Sequence, residues 1–251
     1  MSNKTIFATL IRISFIFAII IIAIFIVSTF IESSETVTNN RILRKDGYEV
    51  LHNPKYLESQ TLLETDVLAR LPTGYTFIDY IYQIEGGALS TFHRDVTSSK
   101  HVYKTKHPIY TVIFYYYGGE LLSVCPGSNQ TYPFVWSSII NVSGEPGTAF
   151  IFDSDLLHAG CLNQCKKRKV VQYKVCHKDD LGKLSHLHGV RAEKKDKCRN
   201  SLYIQSMRKL SYFFEFPINF LLYPLMIKRE DTGTLIGQIQ TWIPITYYNN
   251  I

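Results

Sequence analysis

One stretch of the chain combines a buried-strand pattern with a histidine, and residues 147–160 of it read GTAFIFDSDLLHAG. Residues 148–153 are mostly apolar, and they follow the turn-forming dipeptide Pro146-Gly147. Short apolar runs that are bounded by turn residues are typical of buried strands. The stretch therefore predicts a strand whose downstream end carries His158.

A second strand-like run, residues 89–94, leads into the triplet His93-Arg94-Asp95. Residues two apart on a strand point to the same face of the sheet. His93 and Asp95 can therefore converge on one point, whereas Arg94 points away. Taken alone, the triplet favours a salt-bridged strand end. Together with His158, it predicts two histidines and one carboxylate, the set that holds ferrous iron and leaves coordination positions open for substrate and oxygen.

A basic cluster follows His158, and two of its cations are candidates for binding a second, anionic ligand. Arg168 lies ten residues and Lys169 eleven residues after His158. A cation in this place can hold the distal carboxylate of a dicarboxylate co-substrate, in a bidentate manner for arginine and as a point charge for lysine. Strand alternation lets only one of the two face inward, and Lys169 shares a face with the core-like Val171 and Tyr173. Both residues remain candidates.

The residue pattern around these sites predicts a mainly β protein. Short runs rich in β-branched and aromatic residues alternate with glycine, proline, asparagine and serine clusters, which is typical of a β-sandwich or barrel. Residues 56–70 have helical spacing, and residues 201–226 resemble an aromatic-rich helix interrupted by prolines. The predicted strands are 75–84, 89–94, 108–117, 120–125, 132–136, 148–153 and 169–176.

The N-terminal part predicts a membrane anchor. Residues 13–31 are uncharged, a length that crosses a bilayer as a helix, although a cleaved signal peptide is the alternative. Lys4 and Arg12 precede the run and Glu32 follows it, which favours a type II orientation with a lumenal or extracellular catalytic domain. We expect a cytoplasmic tail over 1–12, a stalk over 32–55 and a domain over 56–251. The net charge of +6 is mild, and we expect no nucleic-acid partner.

Three stretches resemble the phytanoyl-CoA dioxygenase-like branch of the iron(II)/2-oxoglutarate-dependent oxygenases. They are residues 92–95 (FHRD), residues 119–129 (GELLSVCPGSN) and residues 147–160, which are followed by Asn163 and a basic residue. Asn129 stands where the family has a histidine that is not a metal ligand. The resemblance implies a double-stranded β-helix, or jelly-roll, core over 75–176 with flanking helices, preceded by the single transmembrane helix.

The same resemblance implies the chemistry. Iron(II) would be held by His93, Asp95 and His158, and 2-oxoglutarate by Arg168 or Lys169, with Tyr82 as a weaker candidate for contacting this co-substrate. Oxygen and 2-oxoglutarate would be consumed, succinate and carbon dioxide released, and a protein, lipid or glycan hydroxylated. Two alternatives remain: a membrane-anchored interaction module without catalysis, and a cupin-like metalloenzyme that does not use 2-oxoglutarate.

Overall fold

The computed structural model describes residues 3–36, 41–86, 91–132, 137–161, 168–195 and 202–215. The chain divides into two compact units, residues 1–32 and residues 33–251. Helix α1 (Asn3–Ile31) makes up nearly all of the first unit. Its segment Thr5–Ile24 is long and apolar enough to cross a membrane, a property that a membrane anchor shares with an N-terminal signal sequence.

The second unit is mainly β, with two sheets and short flanking helices. One sheet has the order β10-β3-β9-β4-β7-β2, and the other has the order β1-β6-β5-β8. The strands are β1 (Glu32–Thr36), β2 (Tyr48–His52), β3 (Tyr75–Gly86), β4 (Tyr110–Tyr115), β5 (Gly119–Val124), β6 (Ile139–Gly144), β7 (Thr148–Asp153), β8 (His158–Gly160), β9 (Lys169–His177) and β10 (Gly189–Lys195). The helices are α2 (Leu43–Asp46), α3 (Gln60–Arg70), α4 (Lys100–Tyr103) and α5 (Leu202–Phe213), with 3-10 turns at Pro54–Leu57, Val96–Ser98 and Lys178–Leu184.

The connections between the sheets follow a jelly-roll. In chain order, β3 lies in the larger sheet, the segment at His93 bridges to β8 of the smaller sheet, and β4 returns to the larger sheet. Strands β5 and β6 then lie in the smaller sheet, β7 in the larger, β8 in the smaller and β9 in the larger. Eight segments that pass back and forth in this way form a double-sheet jelly-roll. The expected double-stranded β-helix thus agrees with the observed strand order.

Both faces of the larger sheet are buried, which explains why its central strands are almost continuously apolar. The inner face packs against the smaller sheet through Tyr115, Phe150 and Val170. The outer face carries Val171 and other apolar residues, and helix α3 packs against it. The alternation along β9 therefore separates two apolar environments rather than core from solvent.

Part of the predicted stalk belongs to the folded unit. Strand β2 pairs antiparallel with β7, and both Tyr48 and Leu51 are buried. The prediction of a stalk over 32–55 is therefore wrong for β2. Its sequence, Tyr-Glu-Val-Leu-His, alternates too little for a strand to be recognised, because Tyr48 and Leu51 pack on opposite faces of the sheet.

The strands predicted from long apolar runs agree with the structure. The runs at 75–84, 108–117, 120–125, 148–153 and 169–176 are confirmed as β3, β4, β5, β7 and β9. In the run at 89–94, the described part forms only a bridge at His93, while residues 133–136 and 216–251 lie outside the described residues. Strands β1, β2, β6, β8 and β10 were not predicted; β8 is short and β10 is largely polar.

The packing of α3 predicts a large difference between two leucines. Leu63 of α3 packs against the outer face of the larger sheet and is 1% exposed, whereas Leu57 is 39% exposed. Leu63→Ala should lower the free energy of unfolding by about 3 kcal/mol, because it removes buried methyl groups and leaves a cavity. The matched control Leu57→Ala should cost less than about 1 kcal/mol. Urea unfolding of the full chain in detergent, followed by circular dichroism, measures both; equal losses would contradict the packing of α3.

Candidate metal centre

The backbone brings the two predicted histidines side by side. His93 and His158 form an antiparallel bridge in which the His93 N–H donates to the His158 carbonyl at 2.9 Å and the His158 N–H donates back at 3.1 Å. Their imidazole centroids lie 4.5 Å apart. Residues 65 positions apart in sequence are thus held in register by a reciprocal pair of hydrogen bonds, and both side chains point to one place.

Each imidazole is oriented by a carbonyl group of its own loop. His93 Nδ1 lies 2.7 Å from the Thr91 carbonyl oxygen, and His158 Nδ1 lies 3.0 Å from the Leu156 carbonyl oxygen. A carbonyl oxygen only accepts hydrogen bonds, so each Nδ1 carries the proton and each Nε2 keeps its lone pair. This is the arrangement by which metal-binding histidines are oriented.

Asp95 completes the set with one oxygen directed at the imidazoles. Its Oδ1 lies 3.9 Å from His93 Nε2 and 3.8 Å from His158 Nε2. Its Oδ2 accepts hydrogen bonds from the Thr111 hydroxyl and the Lys174 ammonium group, each at 2.6 Å. Because donors already occupy Oδ2, the carboxylate presents a single oxygen to the space between the histidines.

The charges of the three groups suit metal binding. Burial alone would raise the pKa of Asp95, but the Lys174 ammonium and the two imidazoles lower it well below its usual value. Burial, together with neighbouring His93, lowers the pKa of His158 to about 4. At neutral pH Asp95 is therefore a carboxylate and His158 a neutral imidazole, which are the forms that bind metal ions.

The donor set fits a divalent iron ion. One ligand atom from each of His93, Asp95 and His158 lies within 4.8 Å of the other two. Neighbouring ligands at bonds of about 2.1 Å lie about 3 Å apart in an octahedral site, so small inward movements of the side chains suffice. Two histidines and one carboxylate on one side of an ion are the facial set of non-haem iron oxygenases.

The structure separates the two predicted cations. On β9, Gln172 and Lys174 point toward Asp95, and alternation places Arg168 on this same face. The Arg168 side chain interacts with the buried Tyr115 hydroxyl, and its Nε is buried without a hydrogen-bond partner. An unsatisfied buried donor of this kind suits an anionic ligand.

Lys169 lies on the other face of β9. Its ammonium group lies 4.9 Å from the Tyr116 ring centroid and 4.0 Å from Glu85. Val171 and Tyr173, which lie on the same face of β9 as Lys169, belong to the core beside α3. Lys169 therefore does not face the histidines. Tyr82 of β3 pairs with Gln172 and shares the face of β9 that carries Gln172 and Lys174.

Helix α5 packs behind the metal-ligand segments, a role that the sequence did not reveal. The Ser211 hydroxyl accepts the Phe92 N–H at 2.8 Å, and the Arg208 guanidinium donates to the Gly160 carbonyl at 2.6 Å. Arg94, which lies between His93 and Asp95, is fully buried and pairs with Glu215 at 2.9 Å. The segments that carry all three candidate ligands are thus fixed from one side.

Comparison with known proteins gives partial structural likenesses and no sequence relative. No protein-family model matches the chain, and no curated protein matches it. The structure of EvdMO1 resembles it with 15% identity and a TM-score of 0.39, covering 49% of this chain and 32% of that one. The non-heme alpha ketoglutarate dependent epimerase SnoN from nogalamycin biosynthesis matches with 12% identity and a TM-score of 0.38, covering 54% and 80%.

A third likeness is to EctD from S. alaskensis, a structure that contains 2-oxoglutarate and 5-hydroxyectoine. It has 17% identity and a TM-score of 0.38, and the match covers 54% of this chain and 74% of that one. Identity and overlap are low throughout. The assignment of chemistry to this chain therefore rests on its own side chains.

The buried pair of Arg94 and Glu215 predicts a large effect of removing its acid. Glu215→Ala should lower the free energy of unfolding by about 3 kcal/mol, because it leaves a buried guanidinium without its counter-charge. Glu58→Ala, at an exposed position, is the matched control and should change stability by less than about 0.5 kcal/mol. Thermal unfolding of the full chain in detergent measures both. A Glu215→Ala chain as stable as the wild type would contradict the packing of α5.

Proposed function

We propose that the chain is an Fe(II)- and 2-oxoglutarate-dependent dioxygenase of the phytanoyl-CoA dioxygenase-like branch. It hydroxylates a protein, lipid or glycan and releases succinate and carbon dioxide. The observation that carries this proposal is the convergence of His93 Nε2, His158 Nε2 and a single Asp95 oxygen, each oriented by its own hydrogen bonds. A binding module has no need for such a preorganised donor set.

Different residues of the chain bind the metal ion and the co-substrate. His93, Asp95 and His158 would hold the iron ion. When bound, iron would activate O2, the oxidant, which takes two electrons from 2-oxoglutarate as it becomes succinate and carbon dioxide and two from the substrate C–H bond that is hydroxylated. Arg168 binds the distal carboxylate of 2-oxoglutarate, and Tyr82 contributes to this region from β3. Apolar residues of the two sheets border this space, and the Phe152 ring lies 4.5 Å from the His158 ring between centroids.

We also propose that helix α1 anchors the enzyme in a membrane. Lys4 and Arg12 precede the predicted span 13–31, and Arg12 falls within the apolar segment Thr5–Ile24 of the helix. A tail over 1–12 would stay cytoplasmic, and the catalytic unit would be lumenal or extracellular. The substrate is then a molecule of the secretory lumen or the cell surface. Nucleic acid is not among the partners that this location offers.

Turnover of 2-oxoglutarate tests the proposed reaction. Purified full chain in detergent should form succinate from 2-oxoglutarate when Fe(II) is present, even slowly and without the prime substrate. Asp95→Ala and His158→Ala should abolish succinate formation, because each removes one metal ligand. His188→Ala, at an exposed position, is the control and should retain it.

Other outcomes of the same assay point to the alternatives. Iron binding without any consumption of 2-oxoglutarate would favour a cupin-like metalloenzyme. Absence of iron binding by the folded chain would overturn the oxygenase and favour an interaction module.

The placement of Arg168 and Lys169 predicts which of them binds 2-oxoglutarate. Arg168→Met should raise the KM for 2-oxoglutarate by about 10- to 100-fold, as expected for loss of hydrogen bonds to a charged group. Lys169→Met removes the same charge from the opposite face and should leave the KM within about twofold. Initial rates of succinate formation at varied 2-oxoglutarate concentration give both values. A larger effect at Lys169 would reverse the assignment.

A further inference from the structure

A second group of metal-binding side chains lies apart from the three candidate iron ligands, at the surface. His107, His177 and Asp179 each offer one ligand atom, and these atoms lie within 4.8 Å of one another. His107 precedes β4, His177 ends β9, and Asp179 lies in the 3-10 turn Lys178–Leu184. We propose that this group is a second site for a divalent ion of the Zn²⁺ type.

The donor distances fit tetrahedral coordination. His107 Nε2 lies 3.7 Å from Asp179 Oδ2, and His177 Nδ1 lies 3.6 Å from the same oxygen. Ligands at bonds of about 2.1 Å in a tetrahedral zinc site lie about 3.4 Å apart. The observed separations therefore need only slight contraction, and water supplies the fourth ligand.

The lone pair of His177 Nδ1 is available at this position. Nδ1 faces the turn of Asp179 and accepts the Asp179 N–H at 3.3 Å. A hydrogen bond of that length is weak, and a metal–nitrogen bond readily replaces it. Asp179 is half exposed and free to adjust its carboxylate toward an ion.

The two imidazoles are held in place by features that do not depend on an ion. The Asp180 carboxylate is buried and accepts the backbone N–H groups of Lys106 and His107 at 2.8 and 2.9 Å. This ties the loop of His107 to the turn that carries Asp179. The Tyr75 ring packs edge-on against both imidazoles, at 6.5 Å from His107 and 5.5 Å from His177.

Gly74 provides the space for the second imidazole. A Cβ atom at Gly74 would lie 2.2 Å from His177 Nε2, which is closer than atoms approach, and the glycine has a φ of +103°. The Lys178 N–H donates to the Gly74 carbonyl at 2.9 Å and holds this approach. The ring of His177 is thus seated in a position that a larger residue would close.

The site would brace the strands that support Asp95. His107 lies four residues before Thr111 on the way into β4, and His177 lies three residues after Lys174 on β9. Thr111 and Lys174 are the two donors at 2.6 Å to Asp95 Oδ2. An ion shared by His107 and His177 would fix the ends of these two neighbouring strands to each other.

Co²⁺ titration tests the second site independently of any catalytic activity. The full chain carrying Asp95→Ala and His158→Ala lacks two of the three candidate iron ligands. It should bind one Co²⁺ per chain with the intense visible absorption of a tetrahedral site, and Zn²⁺ should displace it. Adding His107→Ala and His177→Ala should abolish this absorption, whereas adding His188→Ala, at an exposed histidine outside the group, should not.

The wild-type background covers the case in which the starting variant does not fold. There, total Co²⁺ binding should fall by one equivalent per chain when His107 and His177 are replaced, and Zn²⁺ should raise the Tm less in those chains than in the wild type. Absence of tetrahedral Co²⁺ binding by the folded chain would overturn the proposal. Tetrahedral Co²⁺ absorption that persists at full strength after both replacements would overturn it as well.

Discussion

The candidate active site depends on one buried ion pair, between the carboxylate of Asp95 and the ammonium group of Lys174. Lys174 is 2% exposed, and removing such a charge from water costs several kcal/mol unless a partner compensates it. Asp95 supplies this compensation through Oδ2, and the Thr111 hydroxyl adds a second donor to the same oxygen. The opposite oxygen is left to face the histidines. The position of β9 beside β4 therefore sets the direction in which Asp95 offers its ligand atom.

Three further constraints keep the histidines at that oxygen. The bridge between His93 and His158 joins the segment after β3 to β8, and their Nδ1 hydrogen bonds set the ring orientations. Ser211 of helix α5 and Glu215, two residues beyond its end, hold the same segments. The larger sheet is buried on both faces, so its central strands have little freedom to shift. Together these contacts preorganise the donor set before any ion binds.

Much of this arrangement was predictable because its signals are local. Apolar runs between turn residues predicted β4, β7 and β9, and the two-residue spacing of His93 and Asp95 placed both on one side. The sequence does not indicate that Lys174 belongs to the site, because its partner Asp95 lies 79 residues away and its neighbours on β9 are apolar. The choice between Arg168 and Lys169 stayed open for a related reason: both faces of β9 are buried, so alternation does not tell which of them meets the histidines. Strand β2 cannot be recognised from the sequence, because its pairing with the distant β7 leaves no local signal.

The most direct test of the account is the visible absorption of the full chain after anaerobic addition of Fe(II) and 2-oxoglutarate. A 2-oxo acid chelated to Fe(II) absorbs visible light by charge transfer from metal to ligand. The band therefore appears only when Fe(II) and 2-oxoglutarate are bound to each other at one site. The account predicts this band at one equivalent of each per wild-type chain, and its loss when His93→Ala and His158→Ala are combined. A folded wild-type chain without the band, or a band that survives both replacements, would contradict the account.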